Sequence, residues 1–306
     1  MFKHILIPLD GSSMAESVLA SVAALNQKLN ATITLIHVIE HNAPESVHGE
    51  RHLTNEEDAC NYLSEVAEKW FPDNTQVERH VHTEEVENVA ASIVSHAGEL
   101  AQDLIVMCAH GNSGLHDWVM GNIAQQVISQ GKTPVLLLHP NNPKTSAPLL
   151  AEILVAHDGE VEHEAGLPLA ARLAQLFDAH LRLVQVVPTL GTLNSEQAAS
   201  GRLLPGATTL LLEIAESEAG EHLQEHADEW KKTYDVAVDV EIRRGDPANQ
   251  VIASANEHKA DLIVIGTHGK AGIKAFWAGS VASKIIAQAG SFPLLLIPVT
   301  LAAPPE

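Results

Sequence analysis

The sequence predicts an α/β protein of two doubly wound domains, each a five-stranded parallel sheet flanked by helices, arranged as an intramolecular pseudo-dimer. Three observations lead there. The chain has 306 residues, room for two domains of about 150. It repeats itself. Within each repeat, short Leu-, Ile- and Val-rich runs alternate with longer segments of helical period.

The repeat is read directly. Ile5-Leu6-Ile7-Pro8-Leu9-Asp10-Gly11 resembles Ile153-Leu154-Val155-Ala156-His157-Asp158-Gly159. Asp103-Leu104-Ile105-Val106 through His110-Gly111 resembles Asp261-Leu262-Ile263-Val264 through His268-Gly269. Thr133-Pro134-Val135-Leu136-Leu137-Leu138 answers Phe292-Pro293-Leu294-Leu295-Leu296-Ile297. The stretch from Pro140 to Pro148 has linker composition, so the domains are set at 1–142 and 149–306. Ten extra residues in the second copy fall around 190–215, and the segment Thr189–Ala219 either covers a cleft or lengthens a helix.

The predicted strands of copy one are 4–9, 32–39, 77–82, 103–108 and 134–139. Those of copy two are 152–157, 181–187, 236–243, 261–266 and 293–298. Several are apolar throughout, as strands covered on both faces must be. Segments 13–29, 55–70, 86–101 and 121–130 repeat apolar residues three and four apart and are read as helices. The last strand of each copy is an apolar edge that needs a partner. The same strand of the other copy is the simplest one.

Composition excludes several classes. With 39 acidic and 18 basic residues the formal charge is −21, divided almost evenly: 18 acids and 7 bases in 1–148, 21 and 11 in 149–306. Such a surface repels nucleic acid and anionic lipid. No apolar run is long enough to span a bilayer, and the start shows no signal-peptide pattern. Two cysteines, Cys60 and Cys108, imply no disulfide framework. The expected location is the cytoplasm.

In doubly wound sheets ligands bind beyond the C-terminal strand ends, where strand order reverses. Asp10 and Asp158 fall there after the first strands, and 108–111 and 266–269 after the fourth. Copy two reads Gly266-Thr267-His268-Gly269, nine residues, then Gly279-Ser280 ahead of the helical pattern from Val281. Glycine permits close backbone approach, and free N–H groups at a helix start suit an anion. Lys270, Lys274 and Lys284 lie nearby in sequence.

Gly-x-x-Gly, nine residues, Gly-Ser, after a strand ending Asp-Leu-Ile-Val-Ile, resembles the nucleotide motif of the universal stress protein family. Ile5-Leu6-Ile7-Pro8-Leu9-Asp10-Gly11-Ser12 and Arg244-Gly245-Asp246-Pro247 resemble other parts of that family. The resemblance runs over nearly the whole chain, twice. It implies a stress-response protein that binds ATP, ADP or AMP, with Mg²⁺ as a candidate companion, in its C-terminal domain. It places Asp158 near the adenosine or a phosphate-bound metal and gives Val186 backbone contacts to adenine. Ile265, Gly266, His268 and Gly269 line the ribose and phosphates; Gly279, Ser280 and Val281 hold the phosphates. Ala156 stands where copy one has Pro8, which makes the adenine contacts of copy two a departure from the pattern. The expected assembly is a homodimer of tandem chains.

Copy one departs further. It reads Cys108-Ala109-His110-Gly111, nine residues, Gly121-Asn122, and no Lys or Arg occurs between Arg79 and Lys132. It is therefore read as a scaffold. No catalytic residue is assigned. Ser12 and Ser13 are read as helix caps, Cys108 as a small, partly buried residue, and His80-x-His82 as surface histidines, since no third metal ligand is evident. Regulatory nucleotide binding is the expected function. The alternatives are slow ATP hydrolysis in the same cleft and a nucleotide-free interaction protein.

Overall fold

A computed structural model of the chain describes residues 1–41, 46–47, 50–109, 121–140, 150–159, 167–193, 203–267, 281–290 and 292–298. In the first half, β1 (His4–Pro8) leads to Ser12, whose Oγ accepts the Ala15 N–H at 3.1 Å and caps α1 (Ser13–Glu16). α2 (Leu19–Leu29) follows. The single helix expected over 13–29 is thus two. Ser17 Oγ donates to the Met14 carbonyl at 2.6 Å, a local bond that competes with continuing the helix. Next come β2 (Thr32–Glu40), a short hairpin of β3 (Ser46–Val47) and β4 (Glu50–Arg51), and α3 (Glu56–Trp70), capped by Asn55. β5 (Val77–Val86) is longer than expected because Val86 still pairs, with Glu40. Asn88 then caps α4 (Val89–Glu99). β6 (Leu104–Cys108), α5 (Asn122–Gln130) and β7 (Val135–Leu138) complete the half.

The second half repeats the order with β8 (Glu152–His157), α6 (Leu167–Phe177) and β9 (His180–Val187). α7 (Pro205–Tyr234) is 30 residues long, against 15 in α3. The described part of the Thr189–Ala219 segment therefore lengthens a helix. Proline at its start suits the first turn, where an N–H has no partner to lose. β10 (Val238–Arg244), α8 (Pro247–Glu257), β11 (Leu262–Thr267), α9 (Val281–Gln288) and β12 (Leu294–Pro298) follow.

The strands form one ten-stranded sheet in the order β10-β9-β8-β11-β12-β7-β6-β1-β2-β5. Each half is parallel. The halves meet at β7 and β12, which pair antiparallel with Leu137 opposite Leu294 and Val135 opposite Leu296. The two apolar edges thus cover each other, and the order reads alike from either end. Alternate residues of each strand serve opposite faces. Ile5 and Ile7 join one core with Leu63, Leu223 and Trp230; Leu6 joins the other with Ile93, Val127, Val251 and Ile285. Burial on both faces is why these strands read as continuous apolar runs.

Candidate functional site

In each half strand order reverses between the first and fourth strands, β1/β6 and β8/β11. The chain turns there at Gly11 (φ 88) and Gly159 (φ 87), positive angles that favour glycine. At Gly159 a side chain would also displace the flexible end of Gln185. A Cβ would lie 2.6 Å from Gln185 Nε2, on β9.

In copy two, Asp158 follows β8, Val186 lies near the end of β9, and Ile265 and Gly266 lie in β11. Three adjacent parallel strands thus bring four of the expected residues to one sheet end. Ile265 is buried between Ala156 and Leu296. Val281 opens α9 and is exposed. His268, Gly269, Gly279 and Ser280 lie outside the described residues, as do Lys270 and Lys274. Lys284 holds Asp246 Oδ2 at 3.6 Å. The same Asp246 caps α8, accepting the Asn249 N–H at 3.1 Å. It therefore ties the start of α8 to the first turns of α9.

Copy one encloses a cavity of about 370 Å³ at the corresponding sheet end. Its floor is Leu9, Val38 and Met107; its walls include Val89 and Ile93 of α4 and the Gly121–Ala124 start of α5. Among the described residues no side chain caps α5, whereas Asn88 caps α4. Asp10 Oδ1 accepts both the Ser12 N–H at 2.9 Å and its Oγ–H at 2.6 Å, fixing the loop after β1. His37 joins that loop to the wall: Nδ1 lies 2.8 Å from Leu9 O and Nε2 3.0 Å from Leu53 O. Cys108 lines the cavity where copy two has Gly266. Burial pushes its thiol up to about 11, against the opposing bond from Ser17 Oγ at 3.6 Å. Among the described lining residues the carboxylates are Asp10 and Glu40, and none is Lys or Arg.

Comparison with known proteins fits this architecture. The model of the universal stress protein family matches residues 1–139 and again 151–298. The chain belongs to the universal stress protein family. It is 26% identical to a universal stress protein of Mycolicibacterium smegmatis over 307 aligned residues, covering 96% of both chains. It is 31% identical over 149 residues to one from Methanocaldococcus jannaschii, covering 49% of this chain and 82% of that one. The crystal structure of a universal stress protein from Archaeoglobus fulgidus superposes with a TM-score of 0.62 at 18% identity, covering 97% of this chain and 98% of that one. At that identity the likeness shows the fold. In this universal stress protein no helix among the described residues is long and apolar enough to cross a membrane.

The sequence did not foresee the copy-one cavity. The signal available was the apolar set Val38, Val89, Ile93 and Met107 facing small residues, Gly121 and Ala124, at the start of α5.

Proposed function

We propose that this universal stress protein binds ATP or a related adenine nucleotide in its C-terminal unit, 149–306, while the N-terminal unit, 1–142, serves as scaffold. The observation that carries this reading is the gathering of Asp158, Val186, Ile265 and Gly266 at one sheet end, with the strand running into Gly-x-x-Gly, nine residues, Gly-Ser and then α9. Backbone N–H groups and a hydroxyl at a helix start are the chemistry a phosphate needs. Gly266, His268 and Gly269 line the ribose and phosphates, Gly279, Ser280 and Val281 hold the phosphates, and Asp158 receives Mg²⁺ through them. Copy one lacks the hydroxyl, with Asn122 where copy two has Ser280; its described cavity lining places Cys108 where copy two has Gly266 and holds neither Lys nor Arg.

The output is regulation. Nucleotide binds one conformational state better than another and shifts the population between them. Both cysteines are free thiols, which suits the reducing cytoplasm. Two tandem chains pair as a homodimer.

The test is thermal unfolding with and without MgATP, ADP and AMP. A ligand at 100 times its Kd stabilises the native state by about 2.7 kcal/mol. The melting temperature should rise with nucleotide, and Gly279→Ala should abolish the rise without altering the nucleotide-free melt. No rise with any nucleotide overturns the reading. Steady release of ADP, lost on Gly279→Ala, overturns regulation as the output.

A further inference from the structure

We infer that His80, His82 and His96 form a binding site for a zinc ion on the N-terminal half, at the edge of the sheet and outside the cleft. His80 and His82 alternate on β5, so both point to one face. His96 comes from α4, which covers that face. The expectation that the pair lacked a third ligand is thereby corrected. One ring nitrogen of each histidine lies within 4.8 Å of those of the other two. Ring centroids are 4.7 Å apart for His80–His96 and 4.9 Å for His82–His96. Tetrahedral zinc sets its nitrogen ligands about 3.4 Å apart, a contraction within reach of side-chain torsions.

The hydrogen-bond geometry favours a metal. His96 Nδ1 lies 2.8 Å from the Ser92 carbonyl and must donate to it, which leaves the Nε2 lone pair for coordination. A carbonyl that accepts from the other ring nitrogen is the usual support of a metal-bound histidine. His80 Nε2 is buried, with no hydrogen-bond partner among the described residues. Three histidines leave tetrahedral zinc a fourth position for water.

The second half shows what the position requires. The strand registers place Glu241 where His80 stands and Arg243 where His82 stands, since Ile36 pairs with His80 and Val184 with Glu241. The helix caps Asn88 and Asp246 likewise place Ser254 where His96 stands. There Arg243 Nε meets Glu241 Oε1 and its NH2 meets Glu257 Oε2, both at 2.5 Å, while Ser254 Oγ donates to Glu241 Oε2 at 2.5 Å. Copy two thus ties strand to helix with a cation of its own. Copy one has three neutral-capable ligands at the same place and no guanidinium. Zinc supplies the missing charge.

The test uses the full chain, stripped by chelator and titrated with zinc chloride in a calorimeter, then with Co²⁺ for its visible spectrum. The expected result is a zinc site giving the strong visible bands of tetrahedral Co²⁺. His82→Gln and His96→Gln should each weaken it at least tenfold while far-UV circular dichroism stays native. Should His96→Gln fail to fold, the half-exposed His82→Gln decides. Zinc binding unchanged in His82→Gln, or no zinc bound by the stripped wild type, overturns the proposal.

Discussion

Lys284 Nζ lies 3.6 Å from Asp246 Oδ2, so the helix α9 is held by the cap of the neighbouring helix α8. The two residues do different amounts of work. Asp246→Ala removes an N-cap and should cost about 1 kcal/mol. Lys284→Ala removes a pair whose lysine side chain is 49% exposed, and such pairs contribute well under about 1 kcal/mol. Urea unfolding of the two variants checks the order. Lys284→Ala matching or exceeding Asp246→Ala would show that the ion pair, not the cap, dominates.

The joint between the halves is a packed apolar seam. Leu137 and Leu294 are both fully buried and lie opposite each other. Leu137→Ala leaves a cavity at the centre of the ten-stranded sheet and should destabilise the chain by about 2–5 kcal/mol. Chemical unfolding gives the value. A loss below about 1 kcal/mol would mean that the β7–β12 seam is not packed as described.

Acid should weaken the protein partly through His139, which follows β7 and is buried. Burial lowers its imidazole to about 4, whereas in the unfolded chain it titrates near about 6.5. Between those values the unfolded state takes up a proton that the native state refuses. Stability present above about pH 6.5 is therefore lost as pH falls toward about 4, by at most about 1.4 kcal/mol per unit. Unfolding midpoints measured from about pH 7 to about pH 5 should fall, and fall less steeply in His139→Gln. Equal slopes would remove His139 from the account.

The two thiols should differ in reactivity. Cys60 is exposed, while burial takes Cys108 to about 11, so at pH 8 about one part in a thousand of Cys108 is thiolate. Native protein should show one fast thiol toward a disulfide reagent and a second only on unfolding. Two fast thiols, or loss of the fast phase in Cys108→Ser, would contradict the burial.

The strands were legible because burial on both faces leaves a continuous apolar run, as in Leu104–Cys108 and Leu294–Pro298. Boundaries failed where one residue suits two states. Val86 is apolar enough to begin a helix, yet it pairs with Glu40 as the last residue of β5. Ser17 broke a helix through a hydroxyl bond that periodicity does not register. At the copy-two cleft, sequence spacing already named Asp158 and Gly266, because strand ends fix where such residues fall. The third histidine was harder. His80 and His82 are neighbours in sequence, but His96 reaches them only through the packing of α4 on β5. One sign was present: position 96 lies on the buried stripe of α4 with Ile93 and Ala97, an odd place for an imidazole without a task.

If only the C-terminal half binds nucleotide, calorimetric titration of the full chain with MgATP, on protein checked for carried-over ligand, will show it. The account predicts about one nucleotide per chain, lost on Gly279→Ala with the fold retained. Two equivalent sites would show that Cys108, Asn122 and the carboxylates of Asp10 and Glu40 do not disable copy one. No binding would contradict the nucleotide reading outright.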